Sequence, residues 1–376
     1  MTPSILMLYG PYAQHPWRED MFLRPDMIQR DLNKMGFGFD IAVVTQLPGA
    51  DDTIPDVRIA RNPRYDQSGT LIDAHFLPGS ITDYPSVIDH WVHNFQNEIL
   101  QPDGTVQRTA HGIGLPPDQV WNHKQIQSYG NHKDKMDKLI SEHGVGIRTY
   151  SVLNYEEYAD TYGGTTPLLY KPQGGSLGLG IHVFSTVKDL EEAIRANVVT
   201  RNGFIQPYLK NNGPIYDLTP ATKEDAKLLQ EFNIENGRPR EIRMHVIATT
   251  NSSGELSAEA YPMMKVSYPH RETLKYEFGI GIDPSCLGPG TLIHDKSVEL
   301  AQQLCREAGS NGSPVSQFYG AFDWLVSGSI YDPDAVWVVD GNCRGPGLPV
   351  CTIAARGAFE RALVSSAHRV MNSRKS

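Results

Sequence analysis

The spacing of apolar and polar positions changes period several times along the chain, and each change predicts an element. Ile5 to Tyr9 is a continuous apolar run closed by Gly10, the pattern of a buried strand. Met27, Ile28, Leu32 and Met35 then recur at helical spacing until Gly36, and Ile41 to Val44 returns to a buried run. Strand, helix, strand predicts a parallel α/β domain, in which ligands sit beyond the carboxyl ends of the strands. The loop leaving the first strand, residues 10–20 with Tyr12, His15, Trp17 and Arg18, is therefore either a plain connection or a substrate contact. Residues 46–83, rich in Pro, Gly and Asp, are expected to be irregular, while Ile88, Trp91, Val92, Phe95 and Ile99 put an apolar stripe on a further helix. His90, His93 and His111 read as a solvated face, not a metal site.

From Val120 the pattern shortens. Val120-Trp121-Asn122 and Ile126 lead to Asn131-His132-Lys133, an amphipathic helix from Met136 to His143 stopped by Gly144, and a strand from Val145 to Val152. Lys133 lies where a helix begins, so it is either a solvated lysine or an anion contact backed by helix N–H groups. Tyr170-Lys171-Pro172-Gln173-Gly174-Gly175-Ser176-Leu177-Gly178-Leu179-Gly180 reads as strand, glycine-rich turn, strand, resuming at Ile181 to Phe184. Such a turn is an ordinary hairpin or a loop whose N–H groups wrap a phosphate chain, with Lys171 as a fixed charge on the strand before it. Thr186 to Asp189 has the form of a capping box opening a helix with Leu190 and Ile194 on its apolar face. Phe204 to Leu209 is a strand bent by its X-Pro step, which leaves backbone groups free for a base edge.

Residues 210–238 resemble an insertion holding a helix from Lys223 to Phe232. Glu241 to Ile247 alternates charged and apolar residues at period two, so Glu241, Arg243 and His245 share a face. Residues 251–290 alternate strand-like and Gly/Pro-rich pieces and contain Lys265, Arg271 and Lys275; a helix with Val298, Ala301, Leu304 and Ala308 ends at Gly309. Tyr319 to Leu325 and Val336 to Asn342 are paired strands, with Asp323 on one and Asp340 and Asn342 on one face of the other. Three hard oxygen donors on neighbouring strands suit magnesium.

Composition narrows the choice of partner. A chain of 376 residues exceeds one core of roughly 250 residues and predicts two or three domains. A formal charge of -9 disfavours nucleic acid and anionic membrane surfaces, which select basic proteins. Cys286, Cys305, Cys343 and Cys351 form no CxxC pair, and no apolar run reaches the ~20 residues of a membrane helix. The expected place is the cytoplasm.

Taken in order, Asn122 to Lys133, Lys171 with its glycine loop, Gln206 to Leu209, Glu241-Ile242-Arg243, Asp323, and Asp340-Gly341-Asn342 with Arg344 and Gly347 resemble the ATP-grasp superfamily of carboxylate-amine ligases. That superfamily includes glutathione synthetase, D-alanine:D-alanine ligase and the ribosomal-protein glutamate ligase. The resemblance implies an α/β and α+β chain, an ATP-grasp fold preceded by a Rossmann-like parallel α/β domain. It divides the chain into a first domain over 1–119, an ATP-grasp small subdomain over 120–209 and a large subdomain over 210–376. It implies ATP and two magnesium ions, with manganese as an admissible substitute. Small-molecule carboxylate and amine substrates, amino acids or peptides, would be joined through an acyl phosphate, and a homodimer is allowed.

By the same resemblance Lys133, Lys171, Gly174, Gly175, Ser176 and Gly178 would hold the phosphates, Gln206, Tyr208 and Leu209 the adenine, and Glu241 the ribose. Asp323, Asp340 and Asn342 would bind metal, and Arg243, Lys265, Arg271 and Arg344 would act on the transferring phosphoryl group and substrate. Departures from the pattern are Gln206 and Asp340 where glutamate is usual, and Ala321 where D-alanine:D-alanine ligase has an arginine. If the function of that arginine is retained, Arg243, Lys265, Arg271 or Lys275 must supply the charge. Two other activities share the resemblance: a nucleotide-binding regulatory protein without turnover, as in the synapsins, and an ATP-grasp kinase that stops at phosphorylation.

Overall fold

The computed structural model describes residues 2–9, 25–44, 56–66, 71–89, 98–100, 106–108, 115–131, 133–172, 180–209, 218–231, 240–251, 253–266, 278–309, 314–328, 333–343 and 353–375. Three sheets organise them. The first contains β1 (Ser4–Tyr9), β2 (Gly38–Val44), β3 (Val57–Ala60), β6 (Phe76–Gly79), β7 (Ser86–Asp89) and β10 (Val120–Trp121) in the order β10-β7-β1-β2-β3-β6. β10, β7, β1 and β2 are mutually parallel, and β3 and β6 close the edge antiparallel. Helix α1 (Pro25–Lys34) makes the crossover between β1 and β2. The unbroken apolar run of β1 follows from burial on both faces, as parallel strands require. Ile5, Met7 and Tyr9 pack with Ile28 and Leu32 of α1, while Leu6 and Leu8 pack with Val57, Ile81 and Val120.

Two expectations for this part are corrected. Ile88 lies on β7, opposite Met7, and Ile99 on β8 (Glu98–Leu100), which forms a hairpin with β9 (Val106–Arg108). The apolar spacing matched a helical template because a buried strand of four residues carries too little period to separate the two forms. Trp91, Val92, Phe95, His90, His93 and His111 lie outside the described residues. Nor are residues 46–83 irregular throughout. They include β3, β6, the hairpin of β4 (Arg64–Tyr65) with β5 (Leu71–Asp73), and a short 3-10 turn at Ile81–Asp83. These strands are short, and several of their residues are exposed, so they show little alternation.

The second sheet has the order β11-β14-β12-β13, with β11 (Tyr150–Ser151), β12 (Leu168–Pro172), β13 (His182–Phe184) and β14 (Gly203–Pro207) all antiparallel. Of the strand expected over 145–152 only Tyr150–Ser151 is strand. Two helices cover the sheet, α4 (Tyr155–Tyr162) and α5 (Val187–Arg195). The second opens with the expected box, in which Thr186 caps the Asp189 N–H and Asp189 caps the Thr186 N–H. Tyr158, Leu168, Tyr170, Leu190 and Ile205 form its core. Gly203 has to be glycine here, because a Cβ would come within 2.1 Å of the Tyr170 ring.

The third sheet is the largest, β17-β16-β15-β18-β19, formed by β15 (Arg240–Thr250), β16 (Leu256–Val266), β17 (Phe278–Gly281), β18 (Gln317–Gly328) and β19 (Pro333–Asn342). One face packs on α7 (Leu292–Glu307) and α3 (Lys133–Glu142), burying Ile242, Met244, Val246, Met136 and Leu300 together. α2 (Lys124–Asn131) precedes α3, and α6 (Lys223–Glu231) lies where the helix from Lys223 was expected. The last helix, α8 (Ile353–Ser373), returns to the first sheet, where Phe359 and Leu363 join Ile5 and Met7. Among the described residues no helix is long and apolar enough to cross a membrane.

Candidate active site

Period two on β15 settles which side chains meet. Ile242, Met244 and Val246 enter the core, so Glu241, Arg243 and His245 stand on the opposite face. Register then aligns charge across the sheet: Lys265 of β16 opposes Glu241, Arg243 opposes Asp323 of β18, and Asp323 opposes Asp340 of β19. Ala321 and Asn342 form the next pair on the same face, two positions along. Strands far apart in sequence thereby contribute to one charged row.

Arg243 grips Asp323 with two parallel bonds, Nε to Oδ1 at 2.7 Å and Nη2 to Oδ2 at 2.9 Å. Lys265 Nζ donates to Asp323 Oδ2 at 2.8 Å and to Glu241 Oε2 at 2.8 Å, and Asn342 Nδ2 reaches Asp323 Oδ2 at 3.1 Å. Asp323 is 1% exposed. Burial alone would raise its pKa, but Arg243 and then Lys265 outweigh burial and hold the carboxyl far below the usual range. Burial acts on Arg243 in the direction of proton loss, and Asp323 reverses it, so the guanidinium stays charged. With Glu241 and Asp323 against Arg243 and Lys265, the charges balance, as a buried cluster requires.

Asp340 is placed differently. Its side chain is 40% exposed, and among the described residues the nearest cation, Lys133 Nζ, is 4.0 Å away. Desolvation by the surrounding protein would raise its pKa, yet Lys133 and Lys171 bring it below the ordinary value. Asp340 is thus ionised with no close ion pair among the described residues. Lys133 is the first residue of α3, where helix N–H groups add to its charge. Lys171, 9% exposed, stands on β12 and donates from Nζ to Val339 O at 2.7 Å, so the second sheet reaches the third beside Asp340. Burial and then Lys133 weaken its hold on the proton, while Asp340, Asp137 and Glu241 oppose them. Asp137 follows Lys133 by one helical turn and was not foreseen; its i, i+4 spacing from Lys133 is the signal that marks it. Burial raises its pKa, and Lys171 and Lys133 resist that shift.

Gln206 is buried on β14 opposite Leu169, and Tyr208 and Leu209 follow the strand. One expectation changes here. Tyr208 N–H is not free for a base, because it donates to Pro167 O at 2.9 Å and extends the ladder past Pro207. Glu241, expected at the ribose, is engaged by Lys265 within the charged row. Gly174, Gly175, Ser176, Gly178, Arg271, Lys275 and Arg344 lie outside the described residues.

The donor set fits a hard divalent cation. Asp340 is an ionised, part-exposed carboxylate, with Asn342 two residues along the same strand and Asp323 across from it. Asp323 has both oxygens occupied by Arg243, Lys265 and Asn342, so the free capacity lies with Asp340. Among the described residues no group of three or more His, Cys, Asp or Glu side chains clusters as a metal site.

No family model and no curated protein matches the sequence. Solved structures do match over nearly the whole chain. D-alanyl-alanine synthetase A from Vibrio cholerae is 13% identical, covers 99% of this chain and 100% of its own, and has a TM-score of 0.50. The VanG D-Ala:D-Ser ligase from Enterococcus faecalis is 13% identical, covers 99% of each chain and has a TM-score of 0.53. At that identity the likeness is one of fold. The chain has the ATP-grasp fold preceded by a parallel α/β domain, as its motifs imply.

Proposed function

We propose that this chain is an ATP-dependent carboxylate-amine ligase acting on amino acids or peptides. The observation that carries the reading is the row Lys265, Arg243, Asp323 and Asp340, met by Lys133 and Lys171 from outside the sheet. Fixed cations converging beside an ionised carboxylate are what phosphoryl transfer needs, since positioning and charge neutralisation supply most of its catalysis. Acyl transfer through a nucleophile-base pair would need a different set of side chains.

In this reading Lys133 and Lys171 hold the nucleotide phosphates, and Gln206, the Tyr208 carbonyl and Leu209 meet the adenine. The substrate carboxylate attacks the γ-phosphorus, ADP leaves, and an acyl phosphate forms. The amine then attacks the acyl carbon, phosphate departs, and an amide results. Arg243 and Lys265 stabilise charge on the transferring oxygens, and Asp323 keeps the two side by side. Asp340 and Asn342 would hold magnesium, which when bound neutralises phosphate charge. Glu241, next to Lys265, orients that ammonium in place of contacting the ribose. Arg271 and Arg344 are assigned to substrate binding on their resemblance alone. A cytoplasmic location and a homodimer complete the reading.

ADP release in the presence of magnesium, with amino acids and short peptides supplied singly and in pairs, tests the proposal. Release that requires both a carboxylate and an amine is expected. Release with the carboxylate alone identifies a kinase, and no release with any pair overturns turnover altogether.

A further inference from the structure

The β18–β19 ladder runs as far as Ala321 opposite Asn342. Beyond that pair the two strands are joined through a side chain. Asn122, which follows β10 and is 3% exposed, accepts at Oδ1 from Tyr319 N–H at 2.7 Å. Its Nδ2 donates to Tyr319 O and also to Cys343 O, the latter at 2.9 Å. One carboxamide thus presents to Tyr319 an acceptor and a donor, as a facing strand residue in a ladder would, has a second donor for Cys343 O, and stands where the strand pairing would otherwise continue.

Asn122 is held in turn. Gln127 of α2 donates from Nε2 to Asn122 O at 2.7 Å and to Asp89 Oδ2 at 2.9 Å, where Asp89 ends β7. A buried chain of polar contacts therefore runs from the carboxyl end of the first sheet to the residue immediately after Asn342. Cys343 is joined to Asn342 by one peptide bond, so a shift of the Cys343 carbonyl moves Asn342 with it.

We infer that Asn122 is a positioning residue for the cation site: it ends the ladder after Asn342 and so holds Asn342 and Asp340 in place for a divalent ion. This rests on the proposed metal role of those two residues. A side chain that fixes a ligand from behind governs metal affinity without touching the metal. Asn122 meets neither the nucleotide lysines nor Gln206, so its loss should leave the metal-free binding of ATP unchanged.

The test is calorimetric titration of the full-length protein with ATP, without magnesium and over a magnesium series. The wild type should bind ATP more tightly as magnesium is added. Asn122→Ala should keep the magnesium-free affinity and need at least about tenfold more magnesium for the same gain. Asn122→Asp, which keeps the acceptor for Tyr319 N–H and loses both donors, should move the same way. Gln127→Leu, which leaves the three Asn122 side-chain bonds and removes the bonds of Gln127 to Asn122 O and Asp89, is the variant to read where neither Asn122 variant folds, and a smaller shift in that direction is expected. A wild type with no magnesium-dependent gain overturns the metal role itself. A wild-type gain that persists unchanged in the folded variants overturns the positioning role alone, even if turnover falls.

Discussion

Lys171 Nζ lies 2.7 Å from Val339 O, one residue before Asp340, so a strand of the second sheet is fastened by its side chain to the strand that carries the candidate metal ligand. The ammonium is desolvated, has Lys133 as a like-charged neighbour, and is balanced by Asp340, Asp137 and Glu241. A nucleotide phosphate entering between Lys133 and Lys171 would be a better partner than a neutral carbonyl, because both partners would then be charged and Coulomb attraction adds to the hydrogen bond. Lys171→Met keeps the stem and removes the charge. It should weaken ATP binding by about tenfold or more, the weight of one charged hydrogen bond. An unchanged dissociation constant in calorimetry would leave Lys171 a strut between sheets.

The two aspartates facing each other across β18 and β19 should fail in different ways. Asp323 is enclosed by Arg243 and Lys265, so Asp323→Asn removes the charge that both side chains grip, leaves Lys265 its bond to Glu241, and should lower stability by about 3–5 kcal/mol. Asp340 is part-exposed and, among the described residues, its nearest cation is 4.0 Å away, so Asp340→Asn should unfold at nearly the wild-type urea midpoint while losing magnesium-dependent ATP turnover. Urea unfolding and ADP release measured on both variants separate the roles. Equal destabilisation by the two substitutions would contradict this division.

Much of this site is legible in the chain because it follows from strand periodicity. The alternation at Glu241, Arg243 and His245, and the placement of Asp323, Asp340 and Asn342 on paired strands, survive in the observed register. Lys133 opens α3 and the Thr186 box is present, since both depend on local backbone chemistry. Contacts between segments far apart in sequence are another matter. Nothing local announces that Lys171 will meet Val339, that Asn122 will finish the ladder of β18, or that α8 will pack on β1. Ile88 failed for the opposite reason, because its local pattern was read as more than four strand residues can carry.

Gly203 offers a check on the second sheet that is independent of the chemistry. Tyr170 lies over it, with a built Cβ 2.1 Å from the ring, and the Tyr170 hydroxyl meets the Thr200 Oγ1 at 3.0 Å, so the ring has little freedom to retreat. Gly203→Ala should destabilise by about 1–3 kcal/mol through overpacking. Because Lys171 directly follows Tyr170 and pairs with Phe204, ATP affinity should fall along with the melting temperature. A melting temperature equal to that of the wild type would show that the ring yields.

His245 sets a pH dependence whose sign is fixed by its surroundings. The ring is 2% exposed, stacks on Tyr319 with centroids 6.0 Å apart, and shares a 3.1 Å bond between Nδ1 and the Tyr319 hydroxyl. Burial, followed by the Arg243 charge, pushes its pKa down to about 3. The folded-state value is therefore below the unfolded one near 6.5, and between those values the unfolded chain binds the extra proton. Stability contributed by the neutral ring is complete above pH 6.5 and is lost progressively as pH falls towards 3, by up to about 1.4 kcal/mol per pH unit. His245→Gln cannot take up that proton, so its urea midpoint should fall less steeply than the wild type's between pH 6.5 and 4. Parallel profiles for the two proteins over that interval would mean that the ring takes up its proton at the same pH in the folded and unfolded states, and that Arg243 and the buried seam with Tyr319 tolerate a second cation.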